Sequence, residues 1–204
     1  GLLTHTGRHG TLYLEVHTGA YRYDYDDQLV EELDTGESLS EDFLLTATNS
    51  ENKVVTQTLT VNLVGADDAP VLAVIESGLI AEKTESSEVT QSSLSGKLYA
   101  FDVDHDDELI FGIKNSTQAS ESSSNLSIKQ GNYGSISLDV LSGEYSYEPD
   151  YLLIEALDSN EIVSDTFTIT VTDGDGADVT EQFSVLLVGA ADAPTISIPQ
   201  EFEL

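Results

Sequence analysis

Across 204 residues, 38 carboxylates stand against 7 lysines and arginines, a formal net charge of −31, and there is no cysteine, methionine or tryptophan. That balance excludes nucleic acid as a partner, because a phosphate backbone needs a basic footprint, and it disfavours anionic membranes. Disulfides and cysteine-based zinc sites fall with the cysteines, and no apolar run approaches the ~20 residues needed to insert into a membrane.

Taken in chain order, the pattern is β throughout. Tyrosines 21, 23 and 25 sit two apart and line one face of a strand. Residues 43–48 and 57–64 read as two strands of a hairpin, 98–101 and 109–113 as short strands, and 82–95 and 115–125 as Ser-rich loops. Further strands are expected at 135–140 and 145–147, with one short helical turn within 151–157. Thr166-Phe167-Thr168-Ile169-Thr170-Val171-Thr172 alternates apolar and hydroxyl residues, as a strand with one buried face does. Asp173-Gly174-Asp175-Gly176 then supplies a tight turn into a return strand at 182–188. Short strands with turn signals at this spacing predict an all-β, immunoglobulin-like sandwich.

The chain also repeats itself. At an offset of about 124 residues, 1–70 lie on 125–194 without a gap, and about 28 of roughly 70 positions are identical. Gly19-Ala20-Tyr21-Arg22-Tyr23 meets Gly143-Glu144-Tyr145-Ser146-Tyr147, and the linker Val64-Gly65-Ala66-Asp67-Asp68-Ala69-Pro70 meets Val188-Gly189-Ala190-Ala191-Asp192-Ala193-Pro194. The expected organisation is the C-terminal part of one repeat at 1–68, a complete repeat at 69–192 and the start of a third at 193–204, a window on a longer tandem array.

The densest chemistry lies in Phe101-Asp102-Val103-Asp104-His105-Asp106-Asp107-Glu108-Leu109. Carboxylates at 102, 104 and 106 converge when the chain turns, and hard oxygens at alternate positions suit Ca²⁺. The loop is not an EF-hand, since it lacks the glycine at the sixth position and the glutamate at the twelfth. A solvated acidic turn is the competing reading. In a sandwich of this kind the 102–107 loop, the 173–176 turn and the linker at 67–68 are expected at one end of the repeat, where their mutual repulsion asks for a cation.

Together, the acidic loop, Gly143-Glu144-Tyr145-Ser146-Tyr147-Glu148-Pro149-Asp150, the 164–174 strand and turn, and the Gly189-to-Pro194 linker resemble the VCBS repeat, a member of the wider cadherin-like group. The resemblance implies a repeat of a large RTX-type bacterial adhesin, secreted to the cell surface by a type I system and stiffened by Ca²⁺ between neighbouring repeats. It assigns Asp67, Asp68, Asp102, Asp104 and Asp173 as ligands, with Asp106 and Asp175 beside them. The preceding repeat would add Glu37, with Asp34 and Glu41 as rivals, and Glu82 with Asp192 would serve the far junction. The first hairpin reads Asn49-Ser50-Glu51-Asn52 where the second reads Asp173-Gly174-Asp175-Gly176, a poorer ligand set.

An enzyme is not expected. The histidines at 5, 9, 17 and 105 show no metal-protease spacing, and the paired carboxylates sit on a turn without the aromatic cleft of a glycosidase. The alternative to a stalk is an adhesion module that grips a cell-surface glycan or host protein through the 115–125 loop and exposed tyrosines.

Overall fold

The computed structural model describes residues 1–83, 93–105, 107–118 and 125–192. The chain divides into two compact units, one of Gly1–Ala69 with Asp102–Asp107, the other of Pro70–Phe101 with Glu108–Leu204.

The first unit contains β1 (Leu2–Thr6), β2 (Gly10–Glu15), β3 (Tyr21–Tyr25), the single-turn helix α1 (Asp27–Glu31), β4 (Ser38–Thr48) and β5 (Val54–Val64). β1, β2 and β3 form an antiparallel meander, and β4 and β5 a separate hairpin paired from Ser38↔Val64 to Thr48↔Val54. Its core is small: Leu12 from the meander and Phe43 from the hairpin are buried, with Tyr23 and His5 edge-on to the Phe43 ring. An apolar groove of about 480 Å³ lies open beside them, lined by Leu3, Leu12, Leu14, Phe43 and Leu45.

The second unit contains β6 (Val71–Leu72), β7 (Gly78–Ala81), β8 (Leu94–Lys97), β9 (Ala100–Phe101), β10 (Ile110–Ile113), β11 (Thr117–Gln118), β12 (Leu126–Gln130), β13 (Gly134–Asp139), β14 (Glu144–Pro149), α2 (Tyr151–Ile154), β15 (Ile162–Thr172) and β16 (Asp178–Val188). Two sheets, ordered β10-β15-β16-β7 and β11-β12-β13-β14-β8, make an all-β sandwich with a small β6-β9 pair at one end. The alternation read in β15 does what it predicts: Phe167, Ile169 and Val171 point into a core with Phe183, Val185 and Leu187 of β16 and Ile136, Leu138 and Tyr147 of the facing sheet.

Two features of local chemistry recur in both units. Asp26 and Asp150 each cap a short helix, accepting from the N–H of Gln28 and Leu152 at 3.2 and 3.1 Å. At the start of the long hairpin a carboxylate clasps a tyrosine across the sandwich. Asp165, 1% exposed, accepts from Asn132 N–H at 2.7 Å, Tyr133 N–H at 3.0 Å and Tyr147 O–H at 2.8 Å. Glu41 accepts in the same way from the N–H groups of Arg8 and His9 and from Tyr23 O–H.

Several strands differ from the sequence reading. β4 and β5 run longer than 43–48 and 57–64, because the ladder continues through the polar residues around Leu39 and through exposed Val54 and Val55. β1 went unread, since all five of its residues are exposed and it carries no burial rhythm. Leu94–Lys97, which begins inside the expected loop 82–95, and Thr117–Gln118, inside 115–125, are strands, where pairing to β14 and β12 supplies the order that composition does not. Part of those two expected loops, 84–92 and 119–124, lies outside the described residues, as does the expected third-repeat segment 193–204.

Candidate metal centres

In the first unit, the loop Asp102–Asp107 folds back on itself. Asp102 Oδ1 accepts from Asp104 N–H at 3.2 Å, an Asx turn, and His105 N–H donates to Glu32 C=O at 3.2 Å. Asp104 Oδ2 accepts from Asp68 N–H at 2.7 Å, tying the loop to the 67–68 segment, where Asp67 N–H donates to Thr35 Oγ1 at 3.0 Å. These bonds bring carboxylate oxygens of Asp67, Asp104 and Asp107 within 4.8 Å of one another. Asp104 is only 5% exposed. Its Oδ1 is buried without a hydrogen-bond partner among the described residues, and so is Asp102 Oδ2.

Burial pushes the Asp104 carboxyl above its ordinary range; the carboxylates of Asp68, Asp102 and Asp34 push it the same way, and only the Asp68 N–H opposes them. A buried charge surrounded by like charges is costly unless a cation compensates it. The donors are all hard carboxylate oxygens, the set that suits Ca²⁺ or Mg²⁺ and not a thiolate- or imidazole-seeking metal.

The second unit carries its own group. Carboxylate oxygens of Glu82, Glu155 and Asp192 lie within 4.8 Å of one another. Glu82 follows β7 and is 7% exposed; its Oε2 accepts from Ala190 N–H at 2.6 Å, while its Oε1 is buried without a partner among the described residues. Glu155 enters as the C-cap residue of α2, its N–H donating to Tyr151 C=O at 2.9 Å.

The other expected ligands fall as follows. Asp173 is buried at the β15–β16 turn; its Oδ1 accepts from Gly176 and Ala177 N–H at 2.6 and 2.9 Å and its Oδ2 has no partner among the described residues. Asp175 is exposed on the same turn. Asp106 lies outside the described residues. Glu37 closes a turn, accepting from Asp34 N–H at 3.2 Å just as Glu161 accepts from Asp158 N–H at 2.9 Å. Glu41 is held by the tyrosine clasp.

Sequence reasoning missed Asp107 and Glu155. Asp107 stands inside the acidic segment Phe101–Leu109. Glu155 had a signal that went unused: it is identical to Glu31 at the repeat offset, on the same short helix.

An all-β sandwich unit carrying buried, partly unsatisfied carboxylates at its loops and linker is the class these observations define. The profile of the bacterial cadherin-like domain matches residues 67–189, and the chain belongs to that family. Cadherin-like domains generally serve as extracellular adhesion or extender repeats, an adhesion fold and not a catalytic one. No curated protein matches the sequence. Among solved structures, protocadherin gamma B2 extracellular cadherin domains 3–6 align over 93% of this chain and 41% of that one, with 13% identity and a TM-score of 0.41. Protocadherin gamma B7 domains 1–4 align over 95% and 42%, with 13% identity and a TM-score of 0.43. Mouse clustered PcdhgC3 EC1-3 aligns over 92% and 55%, with 11% identity and a TM-score of 0.41. The chain thus spans less than two thirds of the length of each.

Proposed function

We propose that this chain is a calcium-stiffened stalk segment of a bacterial surface adhesin, built of VCBS-type repeats divided at 1–68, 69–192 and 193–204. The observation that carries this reading is Asp104: a buried carboxylate with an orphaned oxygen, next to Asp67 and Asp107 and pushed upward by three further carboxylates. Bound Ca²⁺ supplies positive charge and room for six to eight oxygen ligands at ~2.3–2.6 Å. Asp67, Asp104 and Asp107 would hold it in the first unit, with Asp102 and Asp68 supporting; Glu82, Glu155 and Asp192 would hold a second ion in the other unit.

The mechanism is mechanical. Asp67 and Asp68 belong to the linker segment, and Asp104 belongs to the loop between β9 and β10, so a shared cation couples segments about 36 residues apart in sequence. Coupling of this kind removes torsional freedom from the linker and extends an array. Extracellular calcium modules bind at roughly 10⁻⁴ to 10⁻³ M, so millimolar external calcium fills such sites and a cytosol does not. At a tenfold excess over Kd each ion adds about 1.4 kcal/mol of stability.

Thermal unfolding in EDTA, and then with calcium from about 0.01 to about 10 mM, tests this, with magnesium as control. The expected result is a rise in Tm that saturates with calcium and not with magnesium. A flat response would leave the carboxylates as solvated surface and overturn the proposal.

A further inference from the structure

Asparagine followed two residues later by serine or threonine occurs at two of the seven asparagines of the chain, in Asn115-Ser116-Thr117 and Asn125-Leu126-Ser127. Both triplets belong to the second unit, and the fold treats them differently. Asn115 sits in the turn that leaves β10. Ser116 N–H closes this turn on Ile113 C=O at 3.1 Å, and Asn115 takes the left-handed backbone at φ 58°, which asparagine tolerates better than most residues. Asn115 and Thr117 are both exposed. The Thr117 hydroxyl makes a long 3.4 Å bond to Ile128 C=O, so its oxygen can still take a second partner.

The Asn125 triplet is closed at its third position. Ser127 is 4% exposed, and its hydroxyl donates to Ser116 Oγ at 2.7 Å. The Asn125 C=O is also engaged, by Val140 N–H at 2.8 Å. An enzyme that reads this triplet would have to pull β12 out of its sheet. Charge separates the first triplet from the rest of the chain. Residues 109–120 carry no carboxylate. Two of the seven cationic side chains flank Asn115: Lys114 precedes it, and Lys129 Nζ donates to its C=O at 2.8 Å. In a chain of net charge −31, an anionic reactant meets positive charge here at short range.

We propose that Asn115 is an N-glycosylation site, whose amide accepts a sugar from a pyrophosphate-activated donor. The triplet is the acceptor pattern of such transfer and belongs on an exposed loop, and cadherin-like domains are extracellular. Asn115 Nδ2 attacks the anomeric carbon of the donor. The C–N bond forms as the C–O bond to phosphate breaks, the phosphate oxygen leaves with the bonding pair, and one Nδ2 proton passes to a base on the transferase. Nothing is oxidised or reduced. Thr117 holds the amide in place through its hydroxyl, a service that buried Ser127 cannot perform for Asn125.

Peptide mapping by mass spectrometry, on the chain isolated from the cells that produce it, tests the proposal. Sugar transfer does not draw on the carboxylate groups, so the outcome is separate from that of the calcium reading. The expected result is a sugar-sized mass on the Asn115 peptide and none on the Asn125 peptide. Thr117→Ser should keep the modification. Thr117→Val, which preserves a β-branched shape in a strand, and Asn115→Asp, which still suits the left-handed turn, should abolish it while the unit melts as a folded domain. The donor is identified by giving the folded, unmodified chain a labelled nucleotide sugar with soluble extract of those cells, or a labelled lipid-linked sugar with their membranes. Label on Asn115 in the first arm names a nucleotide donor, and in the second a lipid-linked one. A bare Asn115, a sugar confined to serine and threonine hydroxyls, or equal occupancy of Asn115 and Asn125 would overturn the proposal.

Discussion

Asp104→Asn separates a cation ligand from a structural carboxylate, because the two roles predict opposite signs. In EDTA the wild-type unit keeps a buried carboxylate whose Oδ1 is unsatisfied among like charges. Relieving a buried, unsatisfied group is worth about 1–3 kcal/mol. Asparagine retains an oxygen for the Asp68 N–H, trading a charge-assisted bond for a neutral one at a loss of about 1 kcal/mol. The net expectation in EDTA is a gain of about 1 kcal/mol, or a rise of about 4–8 °C in the melting of a unit this size. In calcium at hundredfold excess over Kd, wild type gains about 2.7 kcal/mol. The variant forgoes most of that and falls about 1.5 kcal/mol below wild type. Acid provides an internal control. The folded value of Asp104 lies above its ordinary 3.8, so the folded state holds the proton more tightly, and the stability linked to it is complete at low pH and lost as pH rises through the folded value. The EDTA advantage of Asp104→Asn should therefore exist at neutral pH and fade on acidification. Calorimetry of both proteins in EDTA and in calcium, at neutral and acidic pH, reads all of this. A shift of the same sign and size in both solutions would refute the reasoning and leave Asp104 a purely structural residue.

Glu82→Gln should keep the second unit's melting in EDTA within about 1 kcal/mol, since the amide oxygen can still accept from Ala190 N–H, and should abolish that unit's response to calcium in the same scans. Asp165→Ala strands three donors in a site that is 1% exposed and should cost about 3–5 kcal/mol by denaturant unfolding, with or without calcium, whereas Tyr147→Phe removes one bond and should cost about 1–2 kcal/mol. Burial alone would raise Glu41, but the N–H of Arg8, the O–H of Tyr23, the N–H of His9 and the His9 charge together hold it below 4.5. Its contribution is present above the unfolded value and lost as pH falls, so Glu41→Gln should flatten the acid side of the first unit's stability curve.

The sequence made the hairpins and the acidic loop visible for one reason: both are written in local periodicity. Phe167, Ile169 and Val171 alternate with hydroxyl residues and face the core; Asp102 and Asp104 alternate across a turn closed by the bond from Asp104 N–H to Asp102 Oδ1. β1 was hidden because none of its residues is buried, and β8 because its order comes from pairing with β14, about fifty residues later. The carboxylates show a subtler limit. Glu37 and Glu155 both repeat identically at the offset, yet Glu37 closes a turn and Glu155 joins a carboxylate group. Identity between repeats marks a residue as constrained without telling capping from ligation; that distinction depends on where the short helix ends and which carboxylates its last turn meets.

The two long hairpins close their turns by the same device with different chemistry. Asn49 Oδ1 accepts from Glu51 and Lys53 N–H, both at 2.9 Å, where Asp173 Oδ1 accepts from Gly176 and Ala177 N–H. Asn52 takes the left-handed backbone at φ 60° that Gly176 takes at φ 97°. Closure thus consumes one side-chain oxygen and leaves the second atom to vary: an amide nitrogen at 49, a carboxylate oxygen at 173. Shape and charge are independent settings of this turn, so a single exchange between asparagine and aspartate changes the charge held at the tip and leaves the hairpin as it was. A lineage that duplicates such units can grade the salt sensitivity of successive copies one residue at a time, with the fold untouched.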